Sequence, residues 1–102
     1  MQMYPKKKIE IVVEAVRVQR ILEMIESSGG KGFTVIPQVS GKGNRGVRNE
    51  AHVNDVFRNV HIIVIAAEDV AKRIVQNAQP LLKDYAGIVY VSDVQVVRDQ
   101  HF

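Results

Sequence analysis

The sequence predicts an α+β domain of order β-α-β-β-α-β, an antiparallel sheet with two helices on one face, the ferredoxin-like arrangement. Three observations carry the prediction. Four runs have the alternating or β-branched character of strands, and two others repeat apolar residues at helical spacing. The runs are punctuated by Gly, Ser and Asp clusters. The chain has 102 residues, the size of one domain.

The first strand is "KKIEIVVEA", where Ile9, Ile11 and Val13 alternate with Lys8, Glu10 and Val12. A helix follows, with Val18, Ile21, Leu22 and Ile25 at i, i+3, i+4 and i+7. Ser27-Ser28-Gly29-Gly30 stops it, with glycine available for a left-handed cap. A second strand is expected from Gly32, because Phe33, Thr34 and Val35 favour a pleated backbone. Pro37 has no ladder donor and marks an end, an edge or a bulge. "NVHIIVIAA" is a third strand, apolar enough to be covered on both faces. "EDVAKRIVQNAQP" is a second helix, with Val70, Ala71, Ile74, Val75 and Ala78 as its buried stripe. Glu68 and Asp69 sit in its first turn, where the helix dipole favours anions. Asp84 to Gly87 make a turn, and "IVYVSDVQVVR" is the last strand.

A chain this short buries roughly 65% of its unfolded surface, so association with further copies would help it. Formal net charge is +3, a mild excess that suits an anionic partner without specifying one. The absence of cysteine excludes disulfides, thiolate metal sites and a cysteine nucleophile. No apolar run approaches the roughly 18 residues of a membrane span, and "MQMYPKKKIE" lacks the apolar segment of a signal peptide. A cytoplasmic protein without direct membrane insertion is expected.

The anomaly is the connection between the second and third strands, about residues 40–58. A hairpin connection ordinarily takes about 2–5 residues. Its first part, "VSGKGNRGVRNE", concentrates glycine and cations. Gly41 and Gly43 bracket Lys42, and glycines let successive backbone N–H groups converge on an anion. Lys42, Arg45 and Arg48 add charge-assisted donors, and arginine matches phosphate or carboxylate geometry. The spacing is neither that of a P-loop nor that of a dinucleotide fingerprint. On the residues alone, an anion cradle and a solvated loop both stand.

Several stretches together resemble the PII signalling family: "KKIEIVVEA", "GFTV", "SGKGNRGVR" opening the long connection, and "KDYAGIVYV" before the last strand. The resemblance runs over nearly the whole chain and is nearest to the PII-like branch linked to inorganic carbon, the carboxysome-associated and bicarbonate-transporter-associated proteins. It implies a homotrimer with an adenine nucleotide in each inter-subunit cleft, and the long connection, the T-loop, as moving reporter. Position by position, Gly41, Lys42, Gly43 and Arg45 match the phosphate-contacting base of the T-loop, and Thr34 matches the wall beside the adenosine. Asp84 to Gly87 occupy the B-loop position, which places Gly87 at the nucleotide. Arg98 matches the first of two C-terminal arginines that reach a phosphate from the adjacent chain.

This sequence departs from the family pattern in ways that bear on the ligand. Gly87 stands where typical members carry a lysine that grips distal phosphates, and Gln100 replaces the second arginine. Both changes remove positive charge, so ADP, AMP or cyclic AMP is favoured over ATP. No tyrosine lies between Gly41 and Asn59, which removes the tyrosine that is uridylylated in nitrogen signalling. The cysteine-bearing extension of some transporter-associated members does not follow Phe102, which points toward the carboxysome type. The resemblance also motivates bicarbonate as a second anion, held by Arg45 and Arg48, and a bicarbonate transporter or carboxysome component as protein partner.

Other polar residues have plainer readings. His52, His61 and His101 lack metal-ligand spacing; His61 reads as a packed or sheet-edge residue and His52 as solvated. Lys6-Lys7-Lys8 read as solvated residues at the start of a strand, and Tyr90 as core or interface. No nucleophile with a positioned base can be assembled, so a binding protein and not an enzyme is expected. An RNA-binding module shares the βαββαβ order, but its base-stacking aromatics are missing from "VHIIVIAA", and no nucleic-acid partner is expected. An acylphosphatase-like enzyme would carry its anion loop in a different connection.

Overall fold

A computed structural model describes residues 1–39, 42–43, 46–47, 59–84 and 86–102. Strand β1 (Tyr4–Glu14) leads through a single 3-10 turn (Ala15–Arg17) into helix α1 (Val18–Ser27). Strand β2 (Thr34–Val39) follows, then the two-residue strands β3 (Lys42–Gly43) and β4 (Gly46–Val47). Strand β5 (Asn59–Ala66), helix α2 (Glu68–Leu82) and strand β6 (Gly87–Val96) complete the chain. The main sheet has order β2-β5-β1-β6, with every neighbouring pair antiparallel. This is the βαββαβ arrangement that the periodicities predict.

The core lies on one face of the sheet. Ile9, Ile11 and Val13 of β1 and Val60, Ile62, Val64 and Ala66 of β5 point the same way because directly paired residues share a face. Ile21, Met24 and Ile25 of α1 and Ala71, Ile74 and Ala78 of α2 close over them. Full burial of one such isoleucine contributes about 1.5–3 kcal/mol. Val18, Leu22 and Val70 pack at the margin, half-buried. On the opposite face His61, Ile63 and Ile65 of β5 are half-buried, so within one chain β5 is covered on one side only. Its apolar run overstates its cover in the isolated subunit.

Helix α1 ends as its glycines require. The Gly30 N–H donates to the Ile25 carbonyl at 2.9 Å and the Gly29 N–H to the Glu26 carbonyl at 3.1 Å. This is the paired closing of a Schellman motif, and Gly29 supplies its left-handed residue at φ 101°. Ser28, only 2% exposed, joins the two helices. Its hydroxyl donates to the Met24 carbonyl at 2.7 Å and accepts from Asn77 Nδ2 at 2.9 Å, while its own carbonyl accepts from Arg73 Nε at 3.0 Å.

The start of β2 and the end of α2 differ from the sequence reading. Strand β2 starts at Thr34, two residues after the expected Gly32. Pro37 lies inside it, at an outer edge of the sheet and in a register irregularity between Ile36 and Val39, where a missing donor breaks no ladder. Helix α2 runs two residues past Pro80 to Leu82. Pro80 leaves the Gln76 carbonyl without its helical donor, but Gln76 lies on the exposed side of the helix, where water can replace it.

Candidate functional site

The sheet register fixes which candidate residues share an end of the molecule. Gly87 opens β6 opposite Val13, near the finish of β1. Asn59 pairs with Glu14 and with Val39, so β2 gives way to the long connection at this same end. Gly87 and the chain leading to Lys42 and Gly43 therefore start together. Arg98 follows Val96, which pairs with Tyr4 at the opposite end of β1. With a rise of about 3.3 Å per residue, the ten-residue β6 holds Gly87 and Arg98 roughly 30 Å apart. Thr34, opposite Ile63, stands on β2 at one edge, while β6 forms the other. One chain cannot bring Thr34, Gly87 and Arg98 onto a single nucleotide.

The start of the long connection is not all loop. Lys42 pairs with Val47 and Gly43 with Gly46 in a short antiparallel ladder, which encloses positions 44 and 45. The residues alone left an anion cradle and a solvated loop both open for this stretch; its described glycines, Gly43 and Gly46, pair with each other in this ladder. Gly41, Arg45, Arg48, His52 and Tyr85 lie outside the described residues.

Gly87 is closely packed. A Cβ there would meet Leu82 Cδ2 at 2.9 Å and both the Val12 carbonyl oxygen and Val13 Cγ1 at 3.1 Å. The sequence comparison saw a missing cation at this position; the structure shows that no side chain of any charge fits without movement.

Arg98 is exposed and lines an open hollow of about 360 Å³ with Tyr4, Val97, Asp99 and Gln100. Among the described residues it has no hydrogen-bond or ion-pair partner. Its neighbour Asp99 does: Lys6 Nζ donates to Asp99 Oδ1 at 2.6 Å. The Lys6 ammonium also lies 5.7 Å from the centre of the Phe102 ring. Lys6 to Lys8 are thus not simply solvated. Lys7 pairs with Asp93, its cross-strand neighbour on β6, and Lys8 Nζ lies 3.6 Å from Glu10 Oε2. The hydrogen bond and charge of Asp93 hold the Lys7 ammonium above its ordinary pKa. Sequence reasoning missed the Lys6–Asp99 and Lys7–Asp93 pairs because they join residues more than 80 positions apart, and only the β1–β6 register brings them together.

On the helix-free face, the Glu10 carboxylate accepts from His61 Nε2 at 3.0 Å and from the Tyr90 hydroxyl at 3.3 Å. Burial and the Glu10 charge push the Tyr90 hydroxyl pKa up. His61 is thus satisfied on an interior strand, and Tyr90 lies on the open face, outside the core cluster. Among the described residues there is no His, Asp and Glu group able to hold a metal ion, and no helix long and apolar enough to cross a membrane.

Comparison with known proteins supplies the context. A family model described as nitrogen regulatory protein P-II matches residues 6–101. CPII, a nitrogen regulatory PII-like protein from Thiomonas intermedia solved with ADP, AMP and bicarbonate, superposes with a TM-score of 0.87 at 30% identity over 95% of this chain and 92% of that one. A putative PII-like signalling protein from Thermus thermophilus is 37% identical, with a TM-score of 0.79 over 95% of this chain and 94% of that one. The B. subtilis GlnK–ATP complex shares the fold, at 16% identity and a TM-score of 0.65 over 92% of this chain and 85% of that one. With its strand order, its register and a family match across almost its full length, the chain belongs to the P-II family, in its PII-like branch.

Proposed function

We propose that this chain is a non-enzymatic, cytoplasmic signalling protein that binds ADP or AMP, in preference to ATP, in clefts between the subunits of a homotrimer. The observation that carries the reading is its similarity to CPII, which was solved with ADP, AMP and bicarbonate. The separation of Gly87 and Arg98 supports it, since a composite cleft needs donors presented by two different chains. In this reading Gly41, Lys42, Gly43 and Arg45 cradle the phosphates, and Thr34 borders the adenosine. Gly87 lets the backbone run close to the nucleotide, and the neighbouring subunit contributes Arg98. Bicarbonate sits against Arg45 and Arg48, where cations offset its repulsion from phosphate.

Ligand binding orders the T-loop, and the ordered loop changes affinity for a protein partner in inorganic-carbon uptake or the carboxysome, such as a bicarbonate transporter. A thermal-shift screen with AMP, ADP, ATP and cyclic AMP, each with and without bicarbonate, tests the ligand assignment, because a ligand of the folded state raises its stability. ADP and AMP are expected to raise the melting temperature more than ATP. Calorimetry at fixed bicarbonate should show tighter ADP binding than without it. A melting curve indifferent to every adenine compound rules the assignment out.

A further inference from the structure

We propose that Lys6 is a positioning residue for Arg98: by holding the Asp99 carboxylate, it keeps the neighbouring guanidinium uncommitted and ready for an anionic ligand. This rests on the reading of Arg98 as a phosphate ligand.

Arg98 and Asp99 are adjacent in the chain and line the same hollow. A carboxylate is the natural fork partner of a guanidinium. Left free, Asp99 would compete with phosphate for Arg98, and its charge would repel the phosphate as well. Instead, Asp99 Oδ1 accepts a hydrogen bond from Lys6 Nζ at 2.6 Å, while Arg98 has no partner among the described residues.

The Lys6 end of this pair is fixed. Its side chain is only 11% exposed, against 61% for Asp99, so the lysine is the anchored member. Its backbone pairs with Val94 on β6, which sets where the stem departs. The Phe102 ring centre lies 5.7 Å from the ammonium, within cation–π reach. The chain turns back to place that ring through His101, whose φ of 76° is uncommon for a residue other than glycine. The ammonium is thus held by the ring and by Asp99, both from the C-terminal strap that bears Arg98. Lysine suits the role because it neutralises Asp99 as a compact charge.

The test is ADP calorimetry on the full-length oligomer, comparing wild type with Lys6→Met, Asp99→Asn and the double variant. Lys6→Met is expected to weaken ADP binding about fivefold, the scale of one partly exposed charge pair. Asp99→Asn alone should bind within about twofold of wild type, and added to Lys6→Met it should restore affinity to that level. A double variant as weak as Lys6→Met would make Lys6 a structural pin and overturn the proposal, as would unchanged binding in Lys6→Met. If Lys6→Met does not fold, Phe102→Ala, outside the core cluster, loosens the same ammonium and must show the same rescue by Asp99→Asn. If Arg98→Ala binds ADP as wild type does, this inference falls and the nucleotide reading stands. If wild type itself ignores ADP, both fall.

Discussion

Gly87 and Ser28 are single positions where one atom decides the outcome. Replacing Gly87 with alanine drives a Cβ against Leu82, Val13 and the Val12 carbonyl. The expected cost is about 1–3 kcal/mol, seen as a lower melting temperature, with lysine at that position worse. Ser28→Ala removes the buried hydroxyl that donates to the Met24 carbonyl and accepts from Asn77 Nδ2, and should cost about 0.5–1.5 kcal/mol by urea denaturation. Arg45→Ala and Arg98→Ala address binding instead. In the proposed cleft each would remove a charge-assisted donor worth about 1.5–3 kcal/mol, so ADP affinity should fall roughly tenfold or more while the oligomer persists. Arg98 could be singled out from sequence because it stands at a recognisable place in a C-terminal motif. The packing role of Gly87 could not, because the atoms it must avoid belong to residues 12, 13 and 82.

Elements were more legible than the contacts between them. The period-two run at Ile9, Ile11 and Val13 and the helical stripe at Ala71, Ile74 and Ala78 each encode a buried face locally, and the structure buries them. Pro37 signalled an end, an edge or a bulge for a local reason too, the absence of a donor. The β3–β4 ladder was missed because two-residue strands have no periodicity to read. The Lys7–Asp93 pair was missed because register between β1 and β6 is settled by the whole sheet. That pair makes a pH prediction. The Lys7 pKa is raised in the folded state above 10.5, so its contribution is complete below that value and is lost as pH rises through the folded pKa. Thermal melts of wild type and Asp93→Asn should therefore differ most at neutral pH and converge in strong alkali.

At the scale of the whole molecule, the sheet carries helices on one face, while the other presents Ile36, Ile88 and Tyr90 to solvent in the isolated chain. An apolar face of this kind is suited to burial against further copies. Light scattering is expected to give about three times the 11.5 kDa chain mass. The roughly 30 Å between Gly87 and Arg98 has a genetic consequence. If each pocket is shared across a subunit boundary, two defective variants can repair one another: trimers mixed from Lys42→Ala and Arg98→Ala chains would contain pockets in which both halves are intact. Co-expression of two non-binders would then recover part of the binding capacity. By the same logic, one Arg98→Ala copy inserted among wild-type chains would silence its neighbour's pocket and leave its own intact.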